Sequence, residues 1–314
     1  MKKLYRYRIH STLFQSEFPI PALAGALVPG GSSLKNVRFR EKRFRVEPPR
    51  GEWFRVRGLF YRAGSPRRRV AVLRSPFVGD FKVNFSERTI DWNPSRQDSR
   101  QLASVIASGR ALSLLLPHLK PCLVLHAVGL QIRRKAVLFV APSGGGKSTL
   151  AASFLNEGHP LICEDIAVIR REGSRFLLEP GAPQIRLWPR AARRLSKLRQ
   201  GSRVCPETVK EFFPLNRQGS WRFRGSAAPV AAVYFLSRGS RPEIRIEPLK
   251  PKEALFHCMD HRHTPLPQGP RIDGRQFAVA SELVQNVRVR RLVYPSGFGR
   301  LAAVRQAVLA DLNA

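Results

Sequence analysis

A mixed α/β chain is predicted, with a small β-rich domain over residues 1–96, a helical connector over 97–119 and an α/β domain over 120–314. Three observations predict it. The first part carries short runs of period 2 bounded by Gly and Pro, as half-buried strands do. Apolar residues then recur at helical spacing. From about residue 120 an apolar strand, a glycine run, an amphipathic helix and a second apolar strand follow one another, the order of an α/β layer fold.

The elements follow in chain order. Val37-Arg38-Phe39-Arg40 and Phe81-Lys82-Val83-Asn84-Phe85 alternate apolar and polar residues. Trp53-Phe54-Arg55-Val56-Arg57 nearly does so, and Arg69-Val70-Ala71-Val72-Leu73 is a further strand. Pro29-Gly30-Gly31, Pro48-Pro49-Arg50-Gly51 and Gly64-Ser65-Pro66 supply turns between them. Leu102, Ile106, Leu112, Leu115 and Leu116 predict a helix interrupted at Gly109 and ended by Pro117. Strands are expected over 121–131, 135–140, 160–170, 231–237 and 243–246. Helices are expected over 148–156, 252–259 and 300–312.

Charge is the compositional outlier. The 314 residues contain 55 Lys and Arg against 22 Asp and Glu, a formal charge of +33. Such a field draws in polyanions. The basic residues are nevertheless spread through the chain, as in Arg67-Arg68-Arg69, Arg133-Arg134, Arg170-Arg171 and Arg288 to Arg291, with no basic tail. A solvated Arg-rich surface is therefore the first expectation and a selected anionic partner the second. Cys122, Cys163, Cys205 and Cys258 are isolated, so neither a zinc ribbon nor a disulfide framework is indicated. Residues 5–17 are too polar for a secretory signal, and no apolar run is read as approaching the ~20 residues that span a bilayer. A soluble, cytoplasmic protein is expected.

The most specific feature is Ala141-Pro142-Ser143-Gly144-Gly145-Gly146-Lys147-Ser148-Thr149. It is GxxxxGK[ST] with Ala for the first Gly. Glycines let such a loop wrap a phosphate with its N–H groups inward, and the following helix N-terminus favours an anion. This P-loop reading gives Ala141, Ser143, Gly144, Gly145, Gly146, Lys147, Ser148 and Thr149 as the binding segment for a nucleoside triphosphate, read as Mg-ATP. Lys147 would reach the β- and γ-phosphates, and the Ser148 hydroxyl would ligate Mg²⁺.

Glu164-Asp165 lies seventeen residues after Lys147, inside an otherwise apolar run. Buried carboxylates need partners. One could hold Mg²⁺ while the other takes a proton from an attacking hydroxyl; the plainer alternative is a strand edge facing solvent or Arg170. His126 stands fifteen residues before Ala141, and a lone His on an apolar strand is most often a core residue. Arg186 could meet either a phosphate or a carboxylate. His257, Cys258, Asp260, His261 and His263 resemble metal ligands in composition, but no second ligand cluster accompanies them, and a substrate-facing basic loop is the preferred reading.

The succession of His126, P-loop, helix and acidic pair resembles the catalytic domain of the HPr serine kinase/phosphorylase family. It is closer still to the HPr kinase-like proteins that include lasso-peptide precursor kinases. The resemblance covers roughly residues 120–310, with its specific part in 125–189. It implies a phosphoenolpyruvate-carboxykinase-like P-loop domain and an ATP- and Mg²⁺-dependent transfer of the γ-phosphoryl group to a hydroxyl, with serine expected. By the resemblance Lys147 is the phosphate lysine and Ser148 a metal ligand. Glu164 takes the place of the family's first Asp, its general base, while Asp165 is a metal ligand and His126 lies beside the phosphates. Two departures stand out. Glu replaces that first Asp, and no acidic residue leads an Arg-Gly-Leu-Gly-Ile stretch, Glu179 not being equivalent. The phosphorylase reaction and HPr as substrate are therefore not expected.

The expected partner is a peptide or protein substrate, and an acidic one would suit the basic surface. Nucleic acid is a lesser expectation raised by the +33 charge, and a homo-oligomer is implied only by the resemblance. A catalytically weak, ATP-binding regulatory module is the alternative function. A transport motor fits less well, because no LSGGQ-type signature occurs and the acidic pair follows Lys147 too soon.

Overall fold

The computed structural model describes residues 3–29, 36–45, 54–56, 59–63, 69–95, 100–196, 201–203, 209–219, 221–264 and 270–313. Gly30-Gly31, Pro48 to Gly51, Trp53, Arg57, Gly64-Ser65-Pro66, Arg67-Arg68, Cys205 and the Pro-rich stretch 265–269 lie outside the described residues. The chain is mixed α/β and divides into two compact units: Met1–Lys120 with Leu266–Asp273, and Pro121–Pro265 with Gly274–Ala314.

The first unit holds an eight-stranded sheet in the order β1-β2-β3-β8-β7-β6-β5-β4. β1 (Tyr5–Ile9) and β2 (Thr12–Ser16) form a hairpin missed in the polar-looking N-terminal sequence. Its turn works because His10 and Ser11 take φ of 50° and 49°, the left-handed region that tight two-residue turns use. The other strands are β3 (Asn36–Glu41), β4 (Phe54–Val56), β5 (Leu59–Ala63), β6 (Val70–Ser75), β7 (Gly79–Asn84) and β8 (Thr89–Pro94). Period 2 turns Val37, Phe39, Phe81 and Val83 inward with Trp92, and leaves Arg38 outside. The Trp92 indole satisfies its N–H on the Val78 carbonyl at 3.0 Å.

Helix α1 (Arg100–Ile106), a π turn over Ala107–Ala111 and α2 (Leu112–Leu119) run on without a break. The wider turn absorbs the interruption foreseen at Gly109. Pro117 lies inside α2 and does not end it. The run packs within the first unit: the His118 ring stacks on Phe85 with centroids 3.9 Å apart, and Lys120 Nζ donates to the His10 carbonyl at 2.5 Å. By length and composition Arg100–Leu119 could cross a membrane, so the expectation of no such run is corrected; 67% of its apolar window is buried, as in a core helix.

The second unit is built on a nine-stranded sheet. Its strands are β9 (Leu123–Leu125), β10 (Ala127–Ile132), β11 (Lys135–Val140), β12 (Leu161–Cys163), β13 (Ala167–Glu172), β14 (Arg175–Leu178), β17 (Ala228–Arg238), β18 (Arg245–Pro248) and β19 (Arg288–Tyr294). A separate pair, β15 (Gln184–Leu187) and β16 (Glu211–Pro214), lies outside it. The long β17 joins two paths. It runs parallel to β11 and to β19, while its first residues pair antiparallel with β14, which continues to β13 and β9.

Both faces are covered, which is why β11 reads as a continuous apolar run. Val137 and Phe139 pack with Leu150, Phe154 and Leu155 of α3 (Lys147–Asn156) and with Val304 and Val308 of α7 (Leu301–Asp311). Ala136, Leu138 and Val140 pack on the other face with Cys258 of α5 (Pro251–Asp260) and Ala280 and Leu283 of α6 (Pro270–Asn286). A short helix, α4 (Pro189–Leu195), follows β15.

Two expected strands are each broken in two, and both breaks fall at candidate site residues. His126 separates β9 from β10, and Glu164-Asp165-Ile166 separates β12 from β13.

Candidate active site

β11 delivers the chain at Ala141 into the glycine loop, and α3 leaves it at Lys147. The loop's path is a glycine path. Gly144 and Gly146 take φ of 84° and 90°, a region costly for any residue with a Cβ. A Cβ on Gly145 would lie only 2.6 Å from that of Ala141. No side chain caps α3 at Gly146, so its first N–H groups and its dipole face the loop. Ser143 and Gly144 form the exposed tip, and Thr149 sits half-buried in the first helical turn.

Lys147 is 7% exposed and its ammonium is fully engaged. Nζ donates to the carbonyls of Ala141 at 2.7 Å and Pro142 at 3.0 Å, and meets His126 Nε2 at 2.9 Å. A protonated lysine can only donate. His126 Nε2 is therefore the acceptor, and the imidazole proton sits on Nδ1, which faces Asp165 Oδ1 at 2.9 Å. His126 is a link between the loop lysine and the acidic pair.

The acidic pair sits on a tight turn. Asp165 has φ of 71°, and the Ile166 N–H closes on the Glu164 carbonyl at 2.9 Å, the i to i+2 pattern of a strained γ-turn. The turn sends both carboxylates toward the loop. Glu164 Oε1 accepts from Ser148 Oγ at 2.9 Å, and its Oε2 accepts from Arg186 Nε at 2.8 Å. The other arm of the same guanidinium reaches Asp165 Oδ2 at 2.9 Å. Arg186 arrives because β15 alternates: Ile185 and Leu187 enter the core and the residue between them faces the site. Of its two expected partners, Arg186 meets carboxylates here, Glu164 and Asp165. Arg170, the plainer partner considered for the acids, pairs instead with Glu172 at 2.7 Å and with the buried Glu179 at 3.1 Å.

Burial would raise the Asp165 carboxyl, but Arg186, the hydrogen bond from His126 and the nearby His263 imidazole hold it well below the usual carboxylate range. Burial would likewise lower Arg186, and the two carboxylates outweigh it, so the guanidinium stays charged. The site is a chain of alternating charge running from Lys147 through His126 and Asp165 to Arg186 and Glu164.

His263 belongs to this site, and sequence reasoning placed it only in a cluster of metal-like composition. Its segment adds to the sheet edge: His126 N donates to the His261 carbonyl at 2.9 Å and His263 N to the Val124 carbonyl at 2.8 Å. That brings His263 Nε2 to 3.6 Å from Asp165 Oδ2. His261 meets the site only through its backbone carbonyl, and Cys258 and His257 lie apart from it. Cys258 lies in the core, where burial pushes its thiol up to about 12, and His257 faces Glu253 at 3.8 Å.

Two donor sets could be asked to hold a cation. The ligand atoms of His126, Asp165 and His263 lie within 4.8 Å of one another. Lys147 and Arg186 already press positive charge against two of those ligands, each at 2.9 Å, which opposes a further cation. Ser148 Oγ and Glu164 Oε1 are hard oxygen donors 2.9 Å apart, the chemistry that suits Mg²⁺ once phosphate oxygens offset the positive charge of Arg186, 2.8 Å from Glu164 Oε2, and of the α3 N-terminus.

No family model and no curated protein matches the sequence. Among solved structures the chain is similar to the Hpr(Ser) kinase/phosphatase from Coxiella burnetii, at 13% identity and a TM-score of 0.31, over 60% of this chain and 97% of that one. The relationship is distant.

Proposed function

We propose that the second unit binds Mg-ATP on the 141–149 P-loop and transfers the γ-phosphoryl group to a hydroxyl, expected to be a serine of a peptide or protein. The observation that carries this reading is the convergence on one loop of a lysine, a helix N-terminus, a hydroxyl–carboxylate pair at 2.9 Å and a second, histidine-bound carboxylate. A simple phosphate-binding loop would need only the first two.

The side chains suggest a division of labour that exchanges the roles expected for the acidic pair. Ser148 and Glu164 are the Mg²⁺ side of the site. The ion, when bound there, offsets charge on the phosphates. Lys147 exchanges its two carbonyl acceptors for phosphate oxygens, a short swing because both carbonyls belong to the loop itself. Arg186 keeps the two carboxylates together. Asp165, oriented by His126, accepts a hydrogen bond from the incoming hydroxyl. The acceptor O–P bond forms as the bond to the leaving ADP breaks, and the proton passes to Asp165 and then to solvent. A carboxylate held at low pKa is a weak base. That is tolerable here because a loose phosphoryl-transfer transition state asks for positioning and charge stabilisation more than for early deprotonation.

Incubation of the purified chain with Mg-ATP and serine-containing acidic, neutral and basic peptides, read by mass spectrometry, tests this. Gain of one phosphoryl group on a peptide, lost in Asp165→Asn and Lys147→Ala, supports the reading. ATP binding without transfer to any acceptor would instead favour the regulatory module.

A further inference from the structure

Beyond the residues already placed at the loop, the far ends of two neighbouring strands meet it from the other side. In the parallel register Val140 of β11 faces Phe235 of β17, so Arg238, three residues further on, lies level with the glycine loop. Arg238 pairs in register with Tyr294, the last residue of β19. Its guanidinium lies over the Tyr294 ring, 4.6 Å from the centroid. Both side chains aim at the same point. A Cβ on Gly146 would collide with Arg238 Nη2 and lie 3.1 Å from the Tyr294 hydroxyl.

This arrangement is electrostatically one-sided. Arg238 is exposed, so its like-signed pairing with the helix N-terminus costs little in water, but a bound anion would turn both groups to use. Among the described residues Arg238 makes no ion pair. Beneath it Tyr294 is 1% exposed, and its buried hydroxyl has no hydrogen-bond partner among the described residues. A buried, unsatisfied hydroxyl aimed at the loop is a second and independent sign of a ligand, because such a group is costly to leave unpaired.

We propose that Arg238, held on the Tyr294 ring, is a phosphate ligand of the nucleotide on the side of the loop opposite the acidic pair. The strand order gives the side. Glu164 and Asp165 come from the β12 end of the path β12-β10-β11-β17, and Arg238 comes from β17. The phosphoryl group to be transferred lies toward the carboxylates. Arg238 therefore contacts the part of the phosphate chain nearer the nucleoside, which ATP and ADP share. The proposal rests on the P-loop reading and deepens it.

Titration calorimetry on the full chain with Mg-ATP and with Mg-ADP separates the two claims. In Arg238→Gln both affinities fall by about tenfold or more, the weight of one charge-assisted hydrogen bond. Arg238→Lys recovers part of the loss, and Tyr294→Phe weakens both nucleotides to a smaller extent. Thermal melting of the unliganded variants checks that they fold. Unchanged affinities in Arg238→Gln would overturn the proposal while leaving the P-loop reading intact. A loss confined to ATP would overturn it too, by putting Arg238 at the terminal phosphate. Failure of the unsubstituted chain to bind either nucleotide would overturn the P-loop reading and this proposal with it.

Discussion

Arg186→Met is the perturbation that most tests the charge chain at the site. The arginine holds Glu164 Oε2 at 2.8 Å and Asp165 Oδ2 at 2.9 Å, and its side chain is only 20% exposed. Methionine keeps much of the volume and removes the charge, leaving two adjacent carboxylates facing each other. Breaking a buried pair by deleting one partner costs about 3–5 kcal/mol; the partial exposure of Arg186 puts the loss nearer the lower figure. The loss must depend on pH. The Asp165 carboxyl is held well below the ordinary value near 4. Its pairing therefore stabilises the fold fully above that value and is lost as pH falls through the folded-state value. Without Arg186 the Asp165 carboxyl protonates more readily, so the variant's deficit is greatest at neutral pH and shrinks in acid. Urea unfolding at pH 7 and near pH 4, followed by intrinsic fluorescence, measures it. An equal deficit at both pH values, or none, would refute the idea that Arg186 acts through charge.

Two further predictions concern the loop and its support. Gly146→Ala forces a Cβ into a φ of 90° and against Arg238, so nucleotide binding falls and stability drops by about 1–3 kcal/mol, as calorimetry and chemical denaturation would show. Phe154 is fully buried against Phe139 with ring centroids 5.5 Å apart, so Phe154→Ala costs about 3–5 kcal/mol by urea unfolding; a loss under 1 kcal/mol would mean that α3 is not packed as described.

Much of the second unit is legible in the sequence because its signals are local. The 135–140 strand, the glycine run and the following helix are written in consecutive residues, and the structure has β11 and α3 there. The acidic pair was visible as a chemical anomaly inside an apolar run. What sequence could not give was its turn, since nothing about Asp165 in isolation announces a φ of 71°. His263 and Arg186 reach the site through long-range pairing, of the 262 segment with β9 and of β15 with β16. Such contacts leave no periodicity behind. The Arg288 to Arg291 run misled in a different way. It reads as surface charge, yet Val289 and Leu292 are buried in β19, which pairs with β17 for seven residues. In the first unit, the β1–β2 hairpin was hidden because Arg6 and Arg8 mask the inward alternation of Tyr7 and Ile9.

The central claim is that the 141–149 loop holds nucleotide phosphates with Mg²⁺ on its carboxylate side. A crystal structure of the chain with Mg-ADP tests it most directly. The account predicts the β-phosphate among the backbone N–H groups of the loop and the ion on Ser148 Oγ and Glu164. Nucleotide bound away from the loop, or a metal held by His126, Asp165 and His263 instead, would contradict it.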